Sequence, residues 1–133
     1  MLFRSAIARY KAVIAESKSN PETRTRARLR LGFCYFASKD YSDALNSFKD
    51  VIEEAKNNES LAGGYVGLGN IYVERKKLED ALFCYLRVVM LYSDSNEFFR
   101  EACKQAAFCF DKLKDKNPEY ASRAQRLRQM ASQ

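Results

Sequence analysis

The sequence predicts an all-α fold: a right-handed solenoid of about seven helices stacked as antiparallel pairs. Two observations predict it. First, Leu68-Gly69, Tyr72, Ala81, Tyr85 and Val88 repeat, at the same internal spacing, the earlier Leu31-Gly32, Tyr35, Ala44, Phe48 and Val51. Two copies of one long pattern in 133 residues mean a repeat architecture. Second, the chain has only five glycines and two prolines among an abundance of good helix formers. With 47% hydrophobic and 30% charged residues it has the material for a single folded domain with one continuous core.

In chain order, Leu2, Phe3, Ala6, Ile7, Tyr10, Val13 and Ile14 follow the i, i+3, i+4, i+7 rule, so residues 2–17 read as a helix. Its Ala6, Tyr10 and Val13 match Ala44, Phe48 and Val51, which makes it the second half of a repeat. Asn20-Pro21-Glu22 is a helix start, with Asn as the cap, Pro at the first helical position and an acid in the first turn. That helix runs to about Ser38, Lys39-Asp40 turns, and Ser42 is expected to cap the next helix, which ends near Lys56. Ser60 or a neighbour opens the following helix, to about Arg75. Lys76-Lys77 turns, and residues 78–92 form its partner. The 93–96 loop holds several capping residues before a helix over 97–113, whose stripe is Phe98, Ala102, Ala106, Phe110 and Leu113. Pro118 then opens a last helix to about Ala131.

The Gly/Tyr/Ala/aromatic order resembles the tetratricopeptide repeat (TPR), a helix–turn–helix unit of about 34 residues. Here 37 residues separate Gly32 from Gly69, and 38 separate Gly69 from the aligned Ala107. Such lengthened repeats look like those of bacterial envelope TPR proteins. The resemblance divides a single 1–133 domain into a half repeat (2–17), two repeats (21–58 and 59–94) and a degenerate repeat with a capping helix (95–131). The pattern breaks at Glu119, where a small residue is expected, and Lys39 and Lys76 stand at the usual turn glycine. Gly32 and Gly69 are expected where partner helices cross closely. Gly63, Gly64 and Gly67 leave a bare stretch that suits a close helix or a ligand reaching the backbone, or else simply weakens the helix.

The resemblance implies a non-catalytic scaffold whose first helices line a concave groove for a peptide or amphipathic helix of a protein partner. Carried over position by position, that groove has Arg26, Leu29, Phe33 and Phe36 on the first repeat, with Arg30 at its rim. The second repeat offers Gly63, Val66, Asn70 and Val73, and the third Glu101, Lys104, Phe108 and Asp111. The carboxylate grip of chaperone-binding members is missing, because Leu29 and Phe33 replace its Lys and Asn. Phe33, Phe36, Val66 and Val73 suit an apolar ligand, Arg26 and Arg30 an adjacent acid. Asn70 is expected on the open side, so that Asn70→Ala changes stability little.

The net charge of +6 raises the alternative of nucleic acid or another acidic surface, through Arg24, Arg26, Arg28 and Arg30 and Arg123, Arg126 and Arg128. Alternate arginines on a helix read first as solvated side chains. An enzyme is the least supported class: the chain has no histidine, and Glu53-Glu54 and Glu79-Asp80 read as solvated charge. Cys34, Cys84, Cys103 and Cys109 form no CxxC pair, so no metal and no cofactor are expected, and the thiols read as buried and reduced. No apolar run is long enough to span a membrane. Without an apolar signal core the chain reads as soluble, cytoplasmic, or periplasmic in a bacterium if a targeting segment has been removed. Leu2, Phe3, Ile7 and Ile14 are too apolar for a solvent face, so self-association through residues 2–17, or a longer array upstream, is expected.

Overall fold

The computed structural model describes residues 2–16 and 20–133, the side chains of Leu2 and Asn96 excepted, so the predicted helix end at Ser17 lies outside it. Seven α-helices are present among the described residues: α1 (Leu2–Glu16), α2 (Pro21–Ala37), α3 (Tyr41–Glu54), α4 (Asn58–Glu74), α5 (Leu78–Leu91), α6 (Asn96–Leu113) and α7 (Glu119–Ala131). A 3-10 turn, Lys114–Lys116, leads from α6 towards α7. No strand occurs among these residues.

Each helix packs on the next, and the short connections make neighbours antiparallel. In addition α2 touches α4 and α4 touches α6, whereas α3 and α5 do not touch each other, nor do α5 and α7. The layer whose helices touch lies on the inside of the curve. This helical-repeat solenoid therefore presents α2, α4 and α6 on its concave side.

The local sequence accounts for the helix ends, with some corrections. Asn20 Oδ1 accepts from the Thr23 N–H (3.3 Å), as expected of a cap. Asp40, not Ser42, caps α3, accepting from the Asp43 N–H at 3.3 Å. Likewise Asn57 Oδ1 caps α4 by accepting from the Ser60 N–H at 2.8 Å, so Ser60 is the capped residue rather than the cap. The N-cap residue of α6, Ser95, makes no side-chain capping hydrogen bond. Before α7, Asn117 Oδ1 accepts from the Glu119 N–H at 3.0 Å, and Pro118 sits one residue ahead of the helix in helical conformation.

The two turns within the pairs are alike. Lys39 (φ 66°) and Lys76 (φ 61°) are left-handed. The Asp40 N–H reaches back to the Tyr35 carbonyl and the Lys77 N–H to that of Tyr72, both at 2.9 Å. This is a Schellman closure, normally made with glycine. A Cβ in the left-handed region costs about 1 kcal/mol or more. Lys39→Gly and Lys76→Gly should therefore each stabilise the chain by about 0.5–1 kcal/mol, part of the gain being lost to the freer unfolded chain. Urea midpoints check this, and a lower midpoint in both variants would contradict it.

Candidate functional site

The core decides which concave residues remain accessible. Phe48, fully buried, rises from α3 between Gly32 of α2 and Gly67 of α4. A Cβ at Gly32 would lie 2.6 Å from the ring, and one at Gly67 would also collide with it. Tyr85 of α5 occupies the matching place, 2.7 Å from a Cβ built on Gly69. The glycines thus make room for rings from the partner helix rather than for backbone against backbone, which corrects the expectation for Gly32 and Gly69. The bare stretch is filled the same way. Gly63 faces Leu29 and Phe98, at 2.7 and 3.0 Å from a built Cβ, and Gly64 faces Ile52 at 2.9 Å. Side chains of α2, α3 and α6 occupy the space in which a ligand was one option.

Filling this space removes part of the predicted groove. Val66 is 2% exposed and Leu29 3%, and both belong to the core, as does the backbone at Gly63. Phe33, Phe36, Asn70 and Val73 are half-buried, while Arg26, Arg30, Lys104 and Phe108 are exposed. Phe33 meets Phe48 edge-on (4.9 Å) and stacks on Phe98 (6.1 Å), a contact between α2 and α6, and the Phe98 ring also lies against Gly63 of α4. Sequence reasoning missed Phe98 in this role. Asn70 is also committed: its Oδ1 accepts a 2.6 Å hydrogen bond from the hydroxyl of buried Tyr85. The low cost expected for Asn70→Ala is therefore corrected. Burial drives the Tyr85 hydroxyl far above its ordinary value, so it stays a donor. Asp111 is turned to Arg128 of α7 in an ion pair.

A cleft of about 830 Å3 lies beside the N-terminal ends of α2, α4 and α6. Its lining includes Arg26, Leu29, Arg30, Lys56 and Phe98 together with the carboxylates Glu22, Glu59, Asp94 and Glu97. Of the predicted groove positions only Arg26, Leu29 and Arg30 reach it; Phe33, Phe36, Val73, Lys104 and Phe108 lie outside its lining. Arg26 pairs with Glu22 at 3.1 Å, which leaves Arg30 and Lys56 as cations of the cleft with no carboxylate partner among the described residues.

Elsewhere several of the basic residues are paired within the fold. Arg24 and Arg28 both reach Glu54, at 3.5 and 2.5 Å, and tie α2 to the end of α3. These three are half-buried, so neither the two arginines nor Glu54 is the solvated charge the sequence suggested. Arg123 pairs with Glu119, and Glu79 with Lys116.

The thiols are free. Cys84, Cys103 and Cys109 are buried and Cys34 is half-buried. Burial pushes Cys84 and Cys109 up to about 11, and raises Cys34 and Cys103 from their ordinary value. Thiolate is the reactive form, so a thiol reagent at neutral pH should modify Cys34 first and the other three only on unfolding. Mass spectrometry over time checks this; equal rates at all four would contradict it. The contribution of these thiols to stability is therefore constant below the ordinary thiol value of 9.0 and falls as pH climbs from there to about 11, where the unfolded chain ionises first.

Models of the tetratricopeptide repeat match residues 3–64 and 62–95, together covering 3–95. The chain belongs to the tetratricopeptide-repeat family. Repeats of this family generally mediate protein–protein interaction and are typically non-catalytic scaffolds. Comparison with curated proteins returned no match. Among the described residues, no helix of this TPR chain is long and apolar enough to cross a membrane.

Proposed function

We propose that this TPR domain holds an extended peptide or an amphipathic helix of a protein partner on its concave side. The partner's apolar side chains would lie on Phe33, Phe36, Val73 and Phe108, and its acidic groups by Arg30 and Lys104, with Arg26 held at the rim by Glu22. The observation that carries this is the half-buried apolar row of α2 and α4 beside a cleft whose cations Arg30 and Lys56 are left unpaired. Val66 drops out as a contact, and Asn70 serves the core first. No catalytic role is proposed.

Selection of peptides from a random displayed library on the immobilised chain tests the reading. Selected peptides should be apolar with interspersed acids, and should bind at least tenfold more weakly to Arg30→Glu and to Phe108→Ala. Lys49→Glu, on α3 in the other layer, should leave binding unchanged. Equal affinity for all four proteins would overturn the proposal.

Nucleic acid is the weaker reading, because Arg24, Arg26, Arg28, Arg123 and Arg128 already pair with carboxylates. A steep fall of log affinity with log salt for a generic duplex would revive it.

A further inference from the structure

The face of α5 turned away from α4 and α6 is apolar and bare. Phe83 is 74% exposed, Met90 76% and Leu91 58%, and with Leu86 and Arg87 they frame a shallow hollow of about 330 Å3. The repeat architecture does not require this. The corresponding positions on α3, 37 residues earlier, are Asn46, Lys49, Asp50, Glu53 and Glu54, all polar. On α1 they are Ala8, Lys11, Ala12, Ala15 and Glu16, small or polar. An outward face that is polar or small in its other copies and apolar in one has been given something to cover it.

We propose that the cover is a second copy of this chain, with the two α5 helices packed antiparallel about a two-fold axis through Leu86 and Arg87. The stripe is close to palindromic: Phe83 and Met90 stand two helical turns apart on either side of Leu86/Arg87. An antiparallel copy therefore sets each Phe83 against the Met90 of the other chain, a favourable ring–thioether contact, as a self-complementary two-fold interface requires. Arg87 is the one charge on the stripe, and it lies over the Tyr65 ring, 5.2 Å from its centroid, drawn to one side of the axis. The antiparallel arrangement also opposes the two helix dipoles and brings the end bearing Lys76 and Lys77 towards the end bearing Asp94. Taking about 200 Å2 for a large side chain, the exposed fractions leave roughly 400 Å2 of apolar surface per chain. That is about half of the ~800 Å2 per partner of a standard interface, the share expected of an apolar centre inside a polar rim.

Sedimentation equilibrium of the full chain from micromolar to near-millimolar concentration tests the proposal. The wild type should dimerise. Phe83→Glu and Met90→Lys, both at highly exposed positions, should each weaken the dimer at least tenfold while keeping the helical circular dichroism and the urea midpoint of the monomer. Phe3→Glu, on α1, should leave the dimer intact. With Cys34 replaced by serine, Arg87→Cys should form a disulfide-linked dimer and Asn46→Cys, the matching position on α3, should not. A monomeric wild type overturns the proposal. So does a dimer that survives Phe83→Glu, or one lost on Phe3→Glu instead.

Discussion

Replacing Gly67 with leucine is expected to lower the urea midpoint by the equivalent of about 3 kcal/mol. The Phe48 ring lies between Gly32 and Gly67 and is also in edge contact with Phe33, so it cannot move away from a new side chain. Leucine is the better helix former by about 0.8–1 kcal/mol, and that gain is contained in the net figure. Gly67→Ala should show the same conflict on a smaller scale. Adding Phe48→Leu to Gly67→Ala should restore part of the loss, because the two changes act on the same space and are not additive. If Gly67→Leu unfolds at the wild-type midpoint, the ring does not occupy the place described.

Asn70→Ala comes next, at about 2 kcal/mol. Tyr85 is fully buried and donates to Asn70 Oδ1 at 2.6 Å, so truncation leaves its hydroxyl unpaired in the core. Tyr85→Phe should cost less on its own, since it removes the donor that needs a partner. In the double variant Asn70→Ala/Tyr85→Phe, the asparagine change should add little to the cost of Tyr85→Phe. Strict additivity of the two single variants would show that the bond contributes nothing. The consequence for function is that an Asn70 variant with weak partner binding reports on stability as much as on the groove.

Much of the fold was legible because it is written in short-range periodicity. The i, i+3, i+4 stripes, Asn20-Pro21 and the matched Gly/Tyr/Ala spacing are each local signals, and the described helices follow them to within a few residues. Capping was less legible: more than one Ser, Asn or Asp stands near the starts of α3, α4 and α6, and after the left-handed Lys39 it is Asp40, not Ser42, that caps α3. The site was read least well. Arg26, Arg30, Lys104 and Phe108 are accessible as expected, but Val66 is buried and Phe98 takes a part that no spacing within its own helix indicated.

The helices, their pairing and the repeat are specified locally, since all three follow from which residues recur along one face of a helix. The tertiary structure alone decided what the glycines are for. A missing side chain reads the same whether helix, ligand or solvent takes its place, and only the arrival of Phe48, Tyr85, Leu29 and Phe98 from neighbouring helices shows which. The same holds for Arg24 and Arg28: their charge is in the sequence, but their engagement with Glu54 depends on how α2 and α3 are set against each other, a relation between residues distant in the chain.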